Sequence, residues 1–203
     1  MEGQHLITIT DDEQFLRQIS NEVGFTDLEL HSDIITLEEF CKNNEVMAMA
    51  AIQVGIPKRL IYLKNTNLDI INKMQTDSTT EEEDNYNEAR VLINPVITSS
   101  EGLTEYWEAC ASCLDNTGKV KRPYKINVEY YDEDREKKQE VFVGFESTVL
   151  SHEMDHLDGI LHMDIADEVL FLNVEERKKL RQEQGYNILA ESGSFEELKK
   201  HKA

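Results

Sequence analysis

Leu150 to Asp164 reads LSHEMDHLDGILHMD, a segment that is apolar on one side and rich in ionisable groups on the other. Within it, His152, Glu153 and His156 form H-E-x-x-H. On a helix, residues four apart share a face, so both imidazoles reach one cation. Leu150, Leu157, Ile160 and Leu161 form an apolar stripe that turns the helix inward. Buried imidazoles need partners, and a metal supplies them. The plainer alternative is two ordinary core or surface histidines. Glu153, beside the first candidate ligand, is placed to act as general base toward an attacking water.

A tetrahedral catalytic site needs a third protein ligand and one open position. Two residues compete for it. His162, with Gly159, completes H-E-x-x-H-x-x-G-x-x-H, the metzincin protease pattern. Cys110, in Glu108-Ala109-Cys110-Ala111-Ser112, offers a thiolate instead. Residue types alone leave both open. Cys110-Ala-Ser-Cys113 also has redox C-x-x-C spacing, but no thioredoxin-like pattern surrounds it and no second pair would make a zinc ribbon.

Composition narrows the partners. The chain has 203 residues and a formal charge of −20, a field that repels nucleic-acid phosphates and anionic membranes, so neither is an expected partner. No apolar run approaches the about 20 residues needed to span a bilayer. The N-terminal MEGQHLITITDDEQFLRQ has neither a basic, apolar signal segment nor transit-peptide character. Cys41, Cys110 and Cys113 are an odd, sparse set that points to a reducing compartment, so a cytoplasmic location is expected.

Along the chain, residues 6–10 are expected as a strand. Asp11 or Asp12 then caps a helix through Glu22 with Phe15, Leu16 and Ile19 inward. Thr36-Leu-Glu-Glu predicts a second helix over 37–50, with Phe40, Val46, Met47 and Ala50 inward, ending before Gly55 and Pro57. Strands are predicted at Leu60–Leu63, Val91–Val96, Ile126–Tyr131 and Val141–Phe145, the last two joined by the turn Asp132–Lys138. Residues 72–89 read as an acidic surface insertion. The H-E-x-x-H helix is predicted from Ser147 to Leu157, with solvated helices at Glu175–Gln184 and Phe195–His201 beyond. Strands gathered about one buried helix make an α+β fold of antiparallel sheets around the H-E-x-x-H helix. Residues 1–166 would form the catalytic domain and 167–203 a charged C-terminal helical extension.

Glu108-Ala-Cys-Ala-Ser and Met49-Ala-Ala-Ile-Gln53-Val-Gly, standing in this order before H-E-x-x-H-x-x-G, resemble the motifs of the peptide deformylase family. Gly118-Lys-Val-Lys-Arg-Pro-Tyr-Lys-Ile-Asn-Val-Glu-Tyr-Tyr-Asp132 and Gly144 also resemble the family, so the likeness runs from about Ile9 to Asp164. It implies Cys110, His152 and His156 as ligands of a ferrous ion, replaceable by zinc in a purified sample, and Glu153 as acid–base. It further implies Gln53 and the Ala111 N–H as oxyanion donors, Glu108 paired with Arg122, and Ala48 and Met49 against the substrate. The implied substrate is an N-formylmethionyl peptide, met at the ribosome, and the products are formate and a free N-terminus. A non-enzymatic binding module on the same fold is the alternative; Glu153 and Gln53 argue against it, since binding alone needs no general base.

The chain departs from the family's pattern beside the cleft. Val46 and Ala48 stand where the family has glycines, Ala109 replaces a glycine and Ala111 a leucine. Cys113-Leu114-Asp115 replaces a Pro-Gly turn. An intact catalytic core with a weakened peptide-binding edge is the expectation.

Overall fold

The computed structural model describes residues 5–64 and 89–201; the acidic stretch 72–89, all but Ala89, lies outside them. One antiparallel sheet organises the chain. Its strands are β1 (Ala48–Ala50), β2 (Leu60–Lys64), β3 (Ala89–Ala109), β4 (Asn116–Arg122), β5 (Lys125–Tyr131), β6 (Lys137–Val143), β7 (Glu168–Phe171) and β8 (Asn187–Ser194). The path runs β1-β2-β3-β4-β7, with β5 and β8 also on β3 and β6 on β5. Long β3 is the spine. Its first half pairs β2 and β5, and its second half pairs β4 and β8.

The helices are α1 (Ile9–Leu16), α2 (Leu30–Asn43), α3 (Phe145–Leu157), α4 (His162–Ile165), α5 (Val174–Gln184) and α6 (Phe195–His201). Helix α3 carries H-E-x-x-H and contacts β1, β2, β4 and β6. Alternation along β2 explains how the sheet serves two helices. Ile61 and Leu63 pack with Leu150, Met154 and Leu157 of α3, whereas Leu60 and Tyr62 pack with Leu30, Ile34, Leu37 and Cys41 of α2.

Three sequence expectations are corrected. Residues 6–10 form no strand, because the Thr8 N–H and hydroxyl both donate to Asp11 (2.9 and 2.7 Å), starting α1 at Ile9. That helix stops at Leu16, so Ile19 is 72% exposed rather than inward. Thr36 does not cap α2 but lies inside it, its hydroxyl returned to the Ser32 carbonyl at 2.7 Å. Helix α2 ends at Asn43 rather than about residue 50. Glu45 takes the left-handed conformation (φ 54°), and the Val46 N–H donates back to the Cys41 carbonyl, the usual Schellman closure. This early stop frees Ala48–Ala50 to become a sheet edge.

Further along, Phe145 belongs to α3 and not to the preceding strand. Gly144, at φ 65° and ψ −128°, turns the chain between them. Both expected C-terminal helices are present as α5 and α6. The same segment also supplies β7 and β8, which the sequence did not signal. Gly159 has φ +72°, and a Cβ there would lie 2.3 Å from the Arg17 carbonyl oxygen. Only glycine lets the end of α3 pass so close to α1.

Candidate metal centre and cleft

The H-E-x-x-H residues arrive on α3, and Cys110 arrives at the end of β3. The Cys110 Sγ and the His152 and His156 ring nitrogens come within 4.8 Å of one another. Cys110 Sγ stands 3.2 Å from His156 Nε2. Metal–sulfur and metal–nitrogen bonds of about 2.3 and 2.1 Å at a tetrahedral angle place such donors roughly 3.6 Å apart, so the set fits one ion with little movement. A thiolate and two imidazoles suit ferrous iron or zinc.

The surroundings orient the candidate ligands. Glu108, 4% exposed, lies 2.8 Å from His152 Nδ1 and accepts two bonds from Arg122 at 2.8 and 3.0 Å. Burial alone would raise the Glu108 carboxyl, but Arg122 and then His152 outweigh it and hold it well below the usual carboxylate range. An ionised Glu108 fixes His152 with its proton on Nδ1, leaving Nε2 for a metal. Asp155, one turn along α3, accepts a third bond from Arg122. The sequence reading did not single out Asp155; its place one residue before His156 was the only signal.

His162 goes elsewhere. It is buried at the start of α4, with Nε2 3.2 Å from the Asn116 carbonyl and its ring stacked 5.7 Å from His152. Burial, helped by His152, pushes it below the usual imidazole value. It lies outside the Cys110–His152–His156 group, so the metzincin arrangement is not the one built here. Cys113 is fully buried beside Leu161, and all three cysteines are free thiols.

Glu153 Oε2 accepts the Ala50 N–H at 2.8 Å, tying α3 to β1. Burial pushes its carboxyl up to about 7 against the pull of His152. Gln53 sits in the short 3-10 turn after β1. Its Oε1 accepts from Ala50 N at 3.1 Å, and its Nε2 donates to Cys110 Sγ at 3.3 Å and Ser112 Oγ at 3.1 Å. Ala111 opens the turn after Cys110 and is exposed to the cleft.

Ala48 and Met49 line the same cleft, of about 240 Å³. Among the described residues strand β1 is a sheet edge, paired to β2 alone. Lys64 donates to Met47 toward β2, and Ala50 donates outward to Glu153; by alternation Ala48 also directs its N–H and carbonyl outward. Ala48 is regular strand and is not among the non-glycine residues with positive φ. Alanine in the glycine's place therefore carries no backbone strain. The far wall comes from Tyr106, Phe145 and Arg181, none of which the sequence reading marked. Arg181 lies on a helix whose composition reads as solvated, and only the tertiary fold brings it here.

An α+β domain that gathers a thiolate, two imidazoles, a buried glutamate and an amide donor at one cleft is a metal-dependent hydrolase. The family model described as polypeptide deformylase matches residues 5–170. The chain belongs to that family, whose members remove the N-formyl group from peptides. It is 35% identical over 150 residues to the peptide deformylase of Rhizobium meliloti, covering 73% of this chain and 78% of that one. It is 34% identical over 165 residues to peptide deformylase 2 of Clostridium acetobutylicum, covering 81% and 96%. Among solved structures, a probable peptide deformylase from Synechococcus phage S-SSM7 superposes with TM-score 0.64 at 33% identity, covering 79% of this chain and 98% of that one. A Synechococcus elongatus peptide deformylase in complex with actinonin gives 0.65 at 27%, covering 91% and 87%. Among the described residues no helix is long and apolar enough to cross a membrane.

Proposed function

We propose that Cys110, His152 Nε2 and His156 Nε2 hold one divalent metal, ferrous iron in the cell and zinc as a substitute in purified protein. The substrate on this reading is a formylmethionyl peptide of a newly made chain, met in the cytoplasm at the ribosome. When bound, the metal supplies a Lewis acid that polarises the formyl carbonyl and favours ionisation of water. The observation that carries the reading is the convergence of those three ligand atoms with Glu153 and Gln53 in one cleft.

The outward N–H and carbonyl of Ala48 pair with the peptide backbone as an added strand, with Met49 beside it. Glu153 takes a proton from the attacking water as its oxygen bonds to the formyl carbon. Gln53 Nε2 and the Ala111 N–H hold the oxygen on which negative charge develops, a type of contact worth ~2.7–4 kcal/mol per donor. Glu153 then gives its proton to the nitrogen as the C–N bond breaks, and formate leaves with a free amino terminus behind. Glu108 and Arg122 touch no reacting atom and act by fixing the His152 ring. Residues 1–166 supply every group named, and residues 167–201 add β7 and β8 to the sheet together with α5 and α6.

Glu153→Gln tests the assignment. The variant is expected to keep its metal, since Glu153 is not a ligand, and to lose formate release from formyl-Met-Ala-Ser by on the order of 10²-fold or more. Turnover within a few-fold of the parent would remove Glu153 from the mechanism.

A further inference from the structure

The far wall of the cleft holds an unused charge. Arg181, from α5, lines the cavity that contains Cys110, His152 and Glu153. It is held in place twice: its Nε donates to the Trp107 carbonyl at 2.8 Å, and its guanidinium lies 5.0 Å from the centre of the Tyr106 ring. Trp107 Nε1 also donates to Gln184 Oε1 at 3.0 Å, so α5 is pinned to β3 at Arg181 and again at Gln184. No carboxylate among the described residues forms an ion pair with it. The carboxylate that bears on it, Glu108, is already committed to Arg122 and His152. One turn earlier, Arg177 buries an Nη1 that has no protein partner. In a chain of formal charge −20, a half-buried arginine at the cleft with no acidic partner among the described residues calls for an anion from outside.

We propose that Arg181 is a specificity-determining residue that pairs with a carboxylate on the peptide downstream of the formylmethionine. The inference rests on the deformylase reading above and deepens it by naming a preferred class of peptide: acidic near its start. A guanidinium with Nε tied to a carbonyl and its carbon over a ring presents its Nη groups at low entropic cost, which suits a carboxylate. The chain's overall field works against such peptides, so any preference for them has to be local.

The test compares C-terminally amidated peptides, so that no terminal carboxylate is present: formyl-Met-Asp-Ala against formyl-Met-Lys-Ala, and formyl-Met-Ala-Asp against formyl-Met-Ala-Lys. In one pair or both, the acidic peptide is expected to show a KM lower by roughly three- to tenfold, with kcat little changed. Arg181→Gln should bring the ratio to one or reverse it, as the acidic field then favours lysine. Arg181→Lys should keep part of the preference. Gln184→Ala, which loosens the same helix without touching the charge, should keep all of it. No acidic preference in the parent at either position, or a preference that survives Arg181→Gln, overturns the proposal. Absence of formate from every peptide would instead count against the deformylase reading. Calorimetric affinities for Met-Asp-Ala, Met-Lys-Ala, Met-Ala-Asp and Met-Ala-Lys amides then decide the Arg181 question by the same contrasts.

Discussion

Leu114 carries a backbone cost next to the candidate ligand Cys110. It sits at φ 57° and ψ −126° on the turn after Cys113, a region that suits glycine and that side chains avoid. Such a placement costs on the order of 1–3 kcal/mol, and Leu114 recovers little of it by burial, being 42% exposed. Leu114→Gly is therefore expected to raise Tm by about 2–4 °C, the unfolded-state entropy of glycine offsetting part of the relief. A lower Tm in calorimetry would show that the strain is absent. The neighbouring departures divide differently. Ala48, in regular strand, gains nothing from becoming glycine, whereas Ala111→Leu restores an apolar wall and is expected to lower KM for formyl-Met-Ala-Ser by roughly two- to tenfold with kcat little changed. An unchanged KM would mean the wall is supplied by other residues. His152, His156 and Glu153 were legible in the sequence because H-E-x-x-H demands particular residue types at particular spacings, whereas Cys110 over His162, and Gln53, followed only from the likeness to the deformylase motifs. Arg181 and Asp155 were not, because each acts through the position the fold gives it.

At the level of elements, periodicity identified what it could reach. Helix α3, β2 and β5 were legible from apolar spacing within a few residues of their ends. The second half of β3 and all of β4 were missed: EGLTEYWEA and NTGKVKR are too polar to read as strands, since one of their faces is covered by ion pairs such as Lys119–Glu105. The C-terminal end of α2 depended on a left-handed Glu45, which no residue preference announces. Strands β7 and β8 were missed for a related reason, their residues being mostly exposed on the sheet's borders. Their presence changes what the C-terminal segment does. β8 pairs with β3 at Glu101–Glu105, and β7 pairs with β4 at Asn116–Lys119. A chain stopped after Ala166 retains every candidate ligand yet bares both edges. It is expected to melt at least about 5 °C lower than the parent and to aggregate at concentrations where the parent does not. A truncated chain with Tm within about 1–2 °C of the parent would make 167–203 an independent appendage.

Over the whole molecule, the H-E-x-x-H helix packs on β1, β2, β4 and β6 so that a strand edge, the Cys110 sulfur and two imidazoles meet beside a single cleft. Glu108 ties the sheet's spine to its neighbours, joining β3 to β4 by Arg122 and to α3 by His152. The account stands on the claim that Cys110, His152 and His156 hold the metal that deformylation requires. The most direct measurement is metal content and formate release on the same anaerobically prepared, Fe(II)-loaded samples of the parent, Cys110→Ala and His162→Ala proteins, each shown to be folded. The expected result is about one metal per chain and formate from formyl-Met-Ala-Ser in the parent, both lost together in Cys110→Ala, with the metal kept in His162→Ala. A metal-loaded parent that releases no formate at high substrate, or metal kept without Cys110 and lost without His162, would contradict it.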